Sequence, residues 1–108
     1  MATFDDYLDE LQQGAKKLAA GLVDGLQADA LSDMNAFLKR SERDLARWTK
    51  QLAEGEITTQ DFDDFVQGKK ALAEMHKLTK AGLAAAKLER FRADLISLVI
   101  NAAVKVYL

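Results

Sequence analysis

The sequence contains no cysteine and no proline. The absence of cysteine excludes disulfide bonds, thiolate nucleophiles and cysteine-ligated metal sites. The absence of proline removes the residue that most strongly interrupts an α-helix. Aromatic residues make up only 7% of the chain, whereas Ala, Leu, Lys, Asp and Glu are abundant, which is typical of long helices. The composition therefore predicts an all-α protein.

The chain also lacks a strong excess of charge of either sign and lacks a long apolar run. Its formal net charge is −2, so it has no overall basic character of the kind that nucleic-acid-binding domains show. No apolar stretch reaches the roughly 20 residues that span a bilayer, and the acidic N-terminal segment is unlike a secretory signal. We expect a cytoplasmic protein or a part of an assembled particle, with export by a signal-less route left open. The length of 108 residues predicts one helical domain over 1–108.

The first half of the chain has the apolar periodicity of a helix. Thr3 and Asp6 form a capping-box pattern, which predicts a helix start. From Phe4 onward, apolar residues recur at steps of three and four, the spacing of one helix face. The pattern predicts one nearly continuous helix to Glu54, with a kink near residues 28–33 as the alternative.

Residues 55–58 carry the strongest helix-breaking signal. Gly55 suits the left-handed position that follows a helix. Thr58 is followed three residues later by Asp61, which is a second capping-box pattern. These features predict an αα-hairpin turn.

This turn divides the chain into two nearly equal arms. The arms predict a long antiparallel helical hairpin of two helices of about 50 residues each, with the start of the chain beside its end. A break at residues 28–33 would instead give a compact three- or four-helix bundle.

The last segment, residues 91–108, is apolar around most of its circumference. A helix of this kind must be buried on several sides, and a single hairpin arm covers only one. The segment therefore predicts an interface with other copies or with partner helices. The interface residues that we predict in this segment are Leu95, Ile96, Val99, Ile100, Ala103, Val106 and Tyr107.

A second predicted interface lies in the first arm. Gly14, Gly21 and Gly25 fall close to one helix face, and each glycine inside a helix costs about 0.5–1 kcal/mol relative to alanine. One interpretation is a smooth surface, including Leu18 and Leu22, that another helix approaches closely. The other is a locally frayed or kinked helix.

The sequence carries no recognisable catalytic or metal-binding pattern. His76 is the only histidine, and on a helix Glu74, two residues away, would point to a different face. The acids near residues 54–64 lack the register of a calcium loop, and there is no Gly-x-Ser-x-Gly or phosphate-binding loop. We therefore expect no catalytic residue, no cofactor, no metal and no small-molecule substrate. Trp48 belongs to the apolar residues that recur on one helix face in the first half of the chain, so it is predicted to lie in the core.

One segment resembles a known class of hairpin. Residues 45–72, LARWTKQLAEGEITTQDFDDFVQGKKAL, resemble the short helical hairpins at the ends of many bacterial proteins, the SHOCT-like segments, and the resemblance implies an oligomerisation element. The size and hairpin plan are also similar to those of the Trp-Xaa-Gly proteins of type VII secretion. The chain departs from that pattern, because six residues separate Trp48 from Gly55 and no Trp-x-Gly occurs.

Together these features predict a non-enzymatic structural or interaction protein that acts by helix packing, as a self-assembling subunit or adaptor of bacterial or phage type. We expect a homo-oligomer or partner helices, and no nucleic acid because acids interrupt the basic residues. The alternative is a peripheral lipid-surface protein. The cations that motivate this alternative are Lys16, Lys17, Lys87, Arg90 and Arg92.

Overall fold

The computed structural model describes residues 3–22, 25–70 and 73–108, and within them it contains α-helices and no β-strand. The fold is an elongated bundle measuring 42 × 23 × 18 Å. The predicted all-α class is confirmed, but the predicted hairpin of two helices of about 50 residues is wrong. The described helices are α1 (Phe4–Ala20), α2 (Gln27–Ala53), α3 (Thr59–Gln67), α4 (His76–Lys80) and α5 (Ala85–Tyr107).

Helix α1 begins where the sequence predicts and ends much earlier. The Asp6 amide donates to the Thr3 hydroxyl, and the Thr3 amide donates to the Asp6 carboxylate, so the capping box is complete. The helix ends at Ala20. Gly25 then has a φ of +93°, a left-handed conformation that glycine adopts without steric cost. The break thus precedes residues 28–33, through which α2 runs without interruption.

The turn after α2 is confirmed. Gly55 has a φ of +76°, and Thr58 caps α3 in a second complete capping box with Asp61. However, α3 ends at Gln67 instead of continuing to the end of the chain. The second predicted arm is therefore three helices. The described part of the chain forms a bundle, as the alternative predicted, but it has five helices instead of three or four, and its first break precedes residues 28–33.

Helices α1 and α5 are antiparallel. The Tyr7 hydroxyl donates to the Val99 carbonyl over 2.9 Å, and the Lys105 ammonium lies 2.8 Å from the Glu10 carboxylate. The Tyr107 ring also lies 6.0 Å from the Tyr7 ring, so the start of α1 lies beside the end of α5. This part of the hairpin prediction is confirmed.

The bundle has two distinct ends. The turn end holds the start of α1, the α2–α3 turn and the end of α5, because Phe4, Glu54 and Tyr107 line one groove there. The loop end holds the end of α1, the starts of α2 and α5, and α4. At the loop end, Asp33 of α2 bonds to the backbone of α4 at Leu78.

Helix α5 supplies much of the core. It contacts α1, α2 and α3, and these contacts bury most of its circumference within one chain. We predicted that one arm would leave this segment partly uncovered, and the premise fails because three helices surround it instead. Its buried residues are Phe91, Leu95, Ile96, Val99, Ile100, Ala102 and Ala103.

Candidate interaction surfaces

The predicted interface residues of α5 lie mainly inside the bundle. Leu95, Ile96, Val99 and Ala103 are at most 1% exposed, and Ile100 is also buried. Their apolar surface is covered by their own chain, so in this fold they are not available to a partner.

The two remaining predicted residues of this segment lie at the edge of the core. Val106 and Tyr107 are half-buried and pack against buried residues. Leu108, which follows them, is 69% exposed. This terminal turn presents apolar surface to solvent, and the half-buried Leu98 and Val104 present some as well.

The three glycines of the predicted small-residue face have separate roles. A Cβ atom added to Gly14 would overlap the Leu98 side chain of α5, so a helix does approach closely there, but it belongs to the same chain. Gly21 follows the end of α1, and Gly25 occupies a loop. They do not form one face with Gly14.

A groove at the loop end includes three of the predicted interface residues. Leu18, Gly21 and Leu22 line it from the end of α1, opposite the start of α5. Its volume is about 390 Å³. We call it the basic groove, and its lining residues are Lys17, Leu18, Gly21, Leu22, Leu83, Lys87, Arg90, Phe91 and Asp94.

The charged rim of the basic groove is largely unneutralised. Lys17, Lys87 and Arg90 are exposed, and within residues 3–22, 25–70 and 73–108 none of them forms a salt bridge. Among the residues that the structure describes, Asp94 is the one acid that lines the groove. The half-buried Leu18 and Leu22 line the same groove as these charges. Apolar surface flanked by unpaired cations is suited to a partner that carries both apolar and acidic groups.

A larger groove of about 530 Å³ lies at the turn end, lined by Phe4, Tyr107 and the last turns of α2. Thr49 of α2 also lines this groove, but its hydroxyl already donates a hydrogen bond to the Leu45 carbonyl over 2.7 Å. Lys50 and Glu54 are its charged residues. The lining is mainly aromatic and alanine side chains, which suits apolar contact.

The α2–α3 turn beside this groove is acidic. We call residues 54–58 the acidic turn. Glu54, Gly55 and Glu56 are exposed, and Ile57 is half-buried. A hydrogen bond shared with Glu54, followed by repulsion from its charge, raises the pKa of the Glu56 carboxyl above its ordinary value. The two carboxylates therefore crowd one another.

Sequence reasoning missed an aromatic pair on the side of the bundle. Trp48 was predicted to lie in the core, but it is only half-buried and its ring lies 5.3 Å from that of Phe65. Phe65 is 39% exposed. The ammonium of Lys69 lies 5.6 Å from the Trp48 ring and also pairs with Asp44. The sequence shows an aromatic residue on each side of the predicted turn, Trp48 before it and Phe65 after it. The distance between the two rings depends on how α3 packs, which the sequence does not indicate.

The predicted separation of His76 from Glu74 is wrong. The imidazole of His76 and the carboxylate of Glu74 lie within hydrogen-bonding distance at the surface, although a helix would have separated the two side chains. The reason is that α4 begins only at His76, so Glu74 lies outside the helix. Within the described segments, no three His, Asp or Glu side chains are grouped so that they could hold a metal ion.

The comparisons with known proteins give no relative. None of the helices in the described part of the chain combines the length and apolar character that crossing a bilayer requires. No protein-family model, no curated protein and no solved structure matches the chain.

Proposed function

We propose that this chain is a non-enzymatic interaction protein that acts by helix packing, as a self-assembling subunit or an adaptor. The observation that carries the proposal is the basic groove, in which Leu18 and Leu22 share the lining with Lys17, Lys87 and Arg90. These three cations form no salt bridge within the described segments. The sequence has no cysteine, a single histidine and no catalytic motif, which supports a role in binding.

The groove favours an amphipathic acidic helix as the partner element. Such a helix places apolar residues on one face at steps of three and four, where they could contact Leu18, Leu22 and Leu83. Acidic residues at the edges of that face would meet the cations of the rim. This is the helix-in-groove mode of recognition, in which a few apolar anchors supply most of the affinity.

A labelled synthetic peptide tests this proposal. The probe is a helix-forming peptide with leucine on one face and glutamate on the flanks, and its control has lysine in place of glutamate. We expect fluorescence anisotropy to show binding of the acidic peptide and about tenfold weaker binding by Lys87→Glu/Arg90→Glu, since rim charges contribute modestly to affinity. Lys39→Glu, an exposed residue of α2 that does not line the groove, is the control variant. Equal binding of both peptides, or full binding by the double variant, would contradict the proposal.

A second candidate function is attachment to an anionic lipid surface. It is favoured by the same combination of leucines and cations, because membrane-surface elements place Lys and Arg beside apolar side chains. Flotation with phosphatidylcholine vesicles, with and without phosphatidylserine, tests it. Binding only to the anionic vesicles, lost in Lys87→Glu/Arg90→Glu, would support this function. Protein that stays at the bottom of both gradients would remove it.

A further inference from the structure

We infer that the basic groove of one copy receives the acidic turn of a second copy, so that the protein assembles head to tail. This inference rests on the proposed function and names its partner. It differs from the sequence-based expectation of a homo-oligomer, because the apolar residues predicted to form that interface are mostly buried within each chain. Helix α5 contributes the exposed Lys87 and Arg90 near its start instead.

The two surfaces lie at opposite ends of the bundle. The acidic turn joins α2 to α3 at the turn end, and the basic groove lies between α1 and α5 at the loop end. The longest dimension of the bundle is 42 Å, several Debye lengths at about 0.1 M salt. The turn and groove of one chain therefore cannot meet or neutralise each other, whereas those of two chains can.

Their charges are complementary. Glu54 and Glu56 are exposed and crowd one another at the turn, and Lys50, one helical turn before Glu54, offsets them only in part. The groove presents Lys87 and Arg90 without a salt bridge in the described part of the chain. Bringing the two together relieves like-charge repulsion at both surfaces.

The turn also has a shape that suits a groove. Gly55 and Glu56 lie in the turn after α2 and are exposed, and Gly55 has no side chain to hinder the approach of another backbone. Ile57 is half-buried and packs at the edge of the core, so part of it is available to Leu18 or Leu22. The contact thus combines a central apolar group with a charged rim, the usual arrangement of an interface.

Because the two surfaces differ, the contact is heterologous. Each pair of copies leaves one groove and one turn unoccupied, so association can continue unless the ring closes. The assembly is expected to grow with protein concentration and to weaken as salt screens the surface charges.

Sedimentation velocity of three proteins tests the inference. The groove variant is Lys87→Glu/Arg90→Glu, and the turn variant is Glu54→Lys/Glu56→Lys. All four residues are exposed, so the variants should keep the fold, which circular dichroism verifies. We expect the original chain to exceed monomer mass at micromolar concentration, and each variant alone to sediment as a monomer.

An equimolar mixture of the two variants supplies the decisive result. The mixture brings together the intact turn of one variant and the intact groove of the other, and its two charge-reversed surfaces also complement each other. It should therefore exceed monomer mass again. The control variant Lys39→Glu/Arg43→Glu lines neither surface and should sediment like the original chain.

The inference is overturned if the original chain stays monomeric at every concentration or if the mixed variants remain monomers. This result is separable from failure of the proposed function. If the chain is monomeric but still binds the acidic peptide, self-association is excluded and the proposed function stands, with a different protein as the partner. A chain that binds neither a second copy nor the peptide loses both proposals, and binding to anionic vesicles alone assigns the groove to lipid.

Discussion

The carboxylate of Asp33 accepts a hydrogen bond of 2.9 Å from the backbone amide of Leu78. A second bond of 3.1 Å comes from the amide of Lys77. Helix α4 has no side-chain cap of its own, because the residue at its N-cap, Met75, is in the left-handed conformation and offers no acceptor. A buried acid of α2 therefore satisfies amides at the start of a helix that lies more than forty residues later.

Replacing Asp33 is expected to loosen α4. In Asp33→Ala the two amides lose their acceptor, and an unsatisfied buried donor costs about 1–3 kcal/mol. Urea denaturation should show a loss of this size, and hydrogen exchange at residues 77–80 should accelerate more than exchange in α1. Glu42→Ala, at an exposed position of the same helix, should change the free energy of unfolding by less than about 0.5 kcal/mol. Equal exchange rates in both variants would contradict this role for Asp33.

The contact between Gly14 and Leu98 predicts a coupled response to substitution. Alanine is favoured over glycine inside a helix by about 1 kcal/mol, but a Cβ atom at Gly14 would overlap the end of the Leu98 side chain. Gly14→Ala in the original chain should therefore gain little stability or lose some. In a Leu98→Ala background the space is free, and the same change should stabilise by about 1 kcal/mol.

A double-mutant cycle measures this coupling by urea denaturation of the four proteins. Because Leu98 is only half-buried, its own truncation should leave enough stability for the comparison. If Gly14→Ala has the same effect in both backgrounds, the close approach of α1 and α5 at this point does not determine the preference for glycine.

The features that could be predicted from the sequence are those whose causes are local. The capping boxes at Thr3 and Thr58 join residues three positions apart, and Gly55 takes its left-handed conformation within the predicted turn. Hydrogen bonds of this kind depend on neighbouring residues only, so their residue types indicate them directly.

The remaining helix ends were predicted less well. The end of α1 before Gly21 agrees with the interpretation of a frayed or kinked helix, whereas distant contacts fix the start of α4. Gly25 and Gly82 have positive φ values, but in the sequence they stand among helix-forming residues and resemble tolerated interruptions. Met75 adopts a left-handed conformation that its residue type disfavours, in a segment held by distant groups: Asp33 at α4 and Arg92, whose Nε donates to the Ala73 carbonyl over 2.6 Å.

The candidate site was predicted only in part, for the same reason. Leu18, Gly21 and Leu22 were assigned to an interface and do line the basic groove. Val99 and its neighbours in α5 were assigned because a single arm could not cover them. That reasoning failed because both arms divide, so that α1, α2 and α3 all contact α5. Whether the apolar surface of one helix is covered within its own chain depends on how many other helices pack against it. That number could not be predicted from this sequence.

Ser41 offers a substitution that should increase stability. It lies on the buried face of α2 with no exposed surface, and within the described segments its hydroxyl has no hydrogen-bond partner. Ser41→Ala removes this desolvated group and improves helix propensity, so we expect a gain of about 1 kcal/mol by urea denaturation. Ser97→Ala, at an exposed position of α5, should gain only the propensity difference, about 0.5 kcal/mol or less. A loss of stability in Ser41→Ala would mean that the hydroxyl is satisfied in solution.

Tyr7 should make the fold sensitive to alkaline conditions. Its hydroxyl donates to the Val99 carbonyl in the core, and burial, with a smaller effect of Tyr107, raises the pKa of the phenol well above its ordinary value near 10. Below that value both the folded and the unfolded chain keep the proton. Above it the unfolded chain releases the proton and the folded chain retains it, so the free energy of unfolding should fall by up to about 1.4 kcal/mol per pH unit.

Tyr7→Phe isolates this contribution. At neutral pH the variant should be less stable by about 1 kcal/mol, because it lacks the hydrogen bond to Val99. Above about pH 10 the original chain should lose stability faster than the variant, so the difference between them should shrink and then reverse. Urea denaturation of both proteins from neutral pH to about pH 11 measures the difference, and the exposed lysines, common to both, cancel from it. A difference that stays constant across this range would show that Tyr7 ionises equally in the folded and unfolded chains.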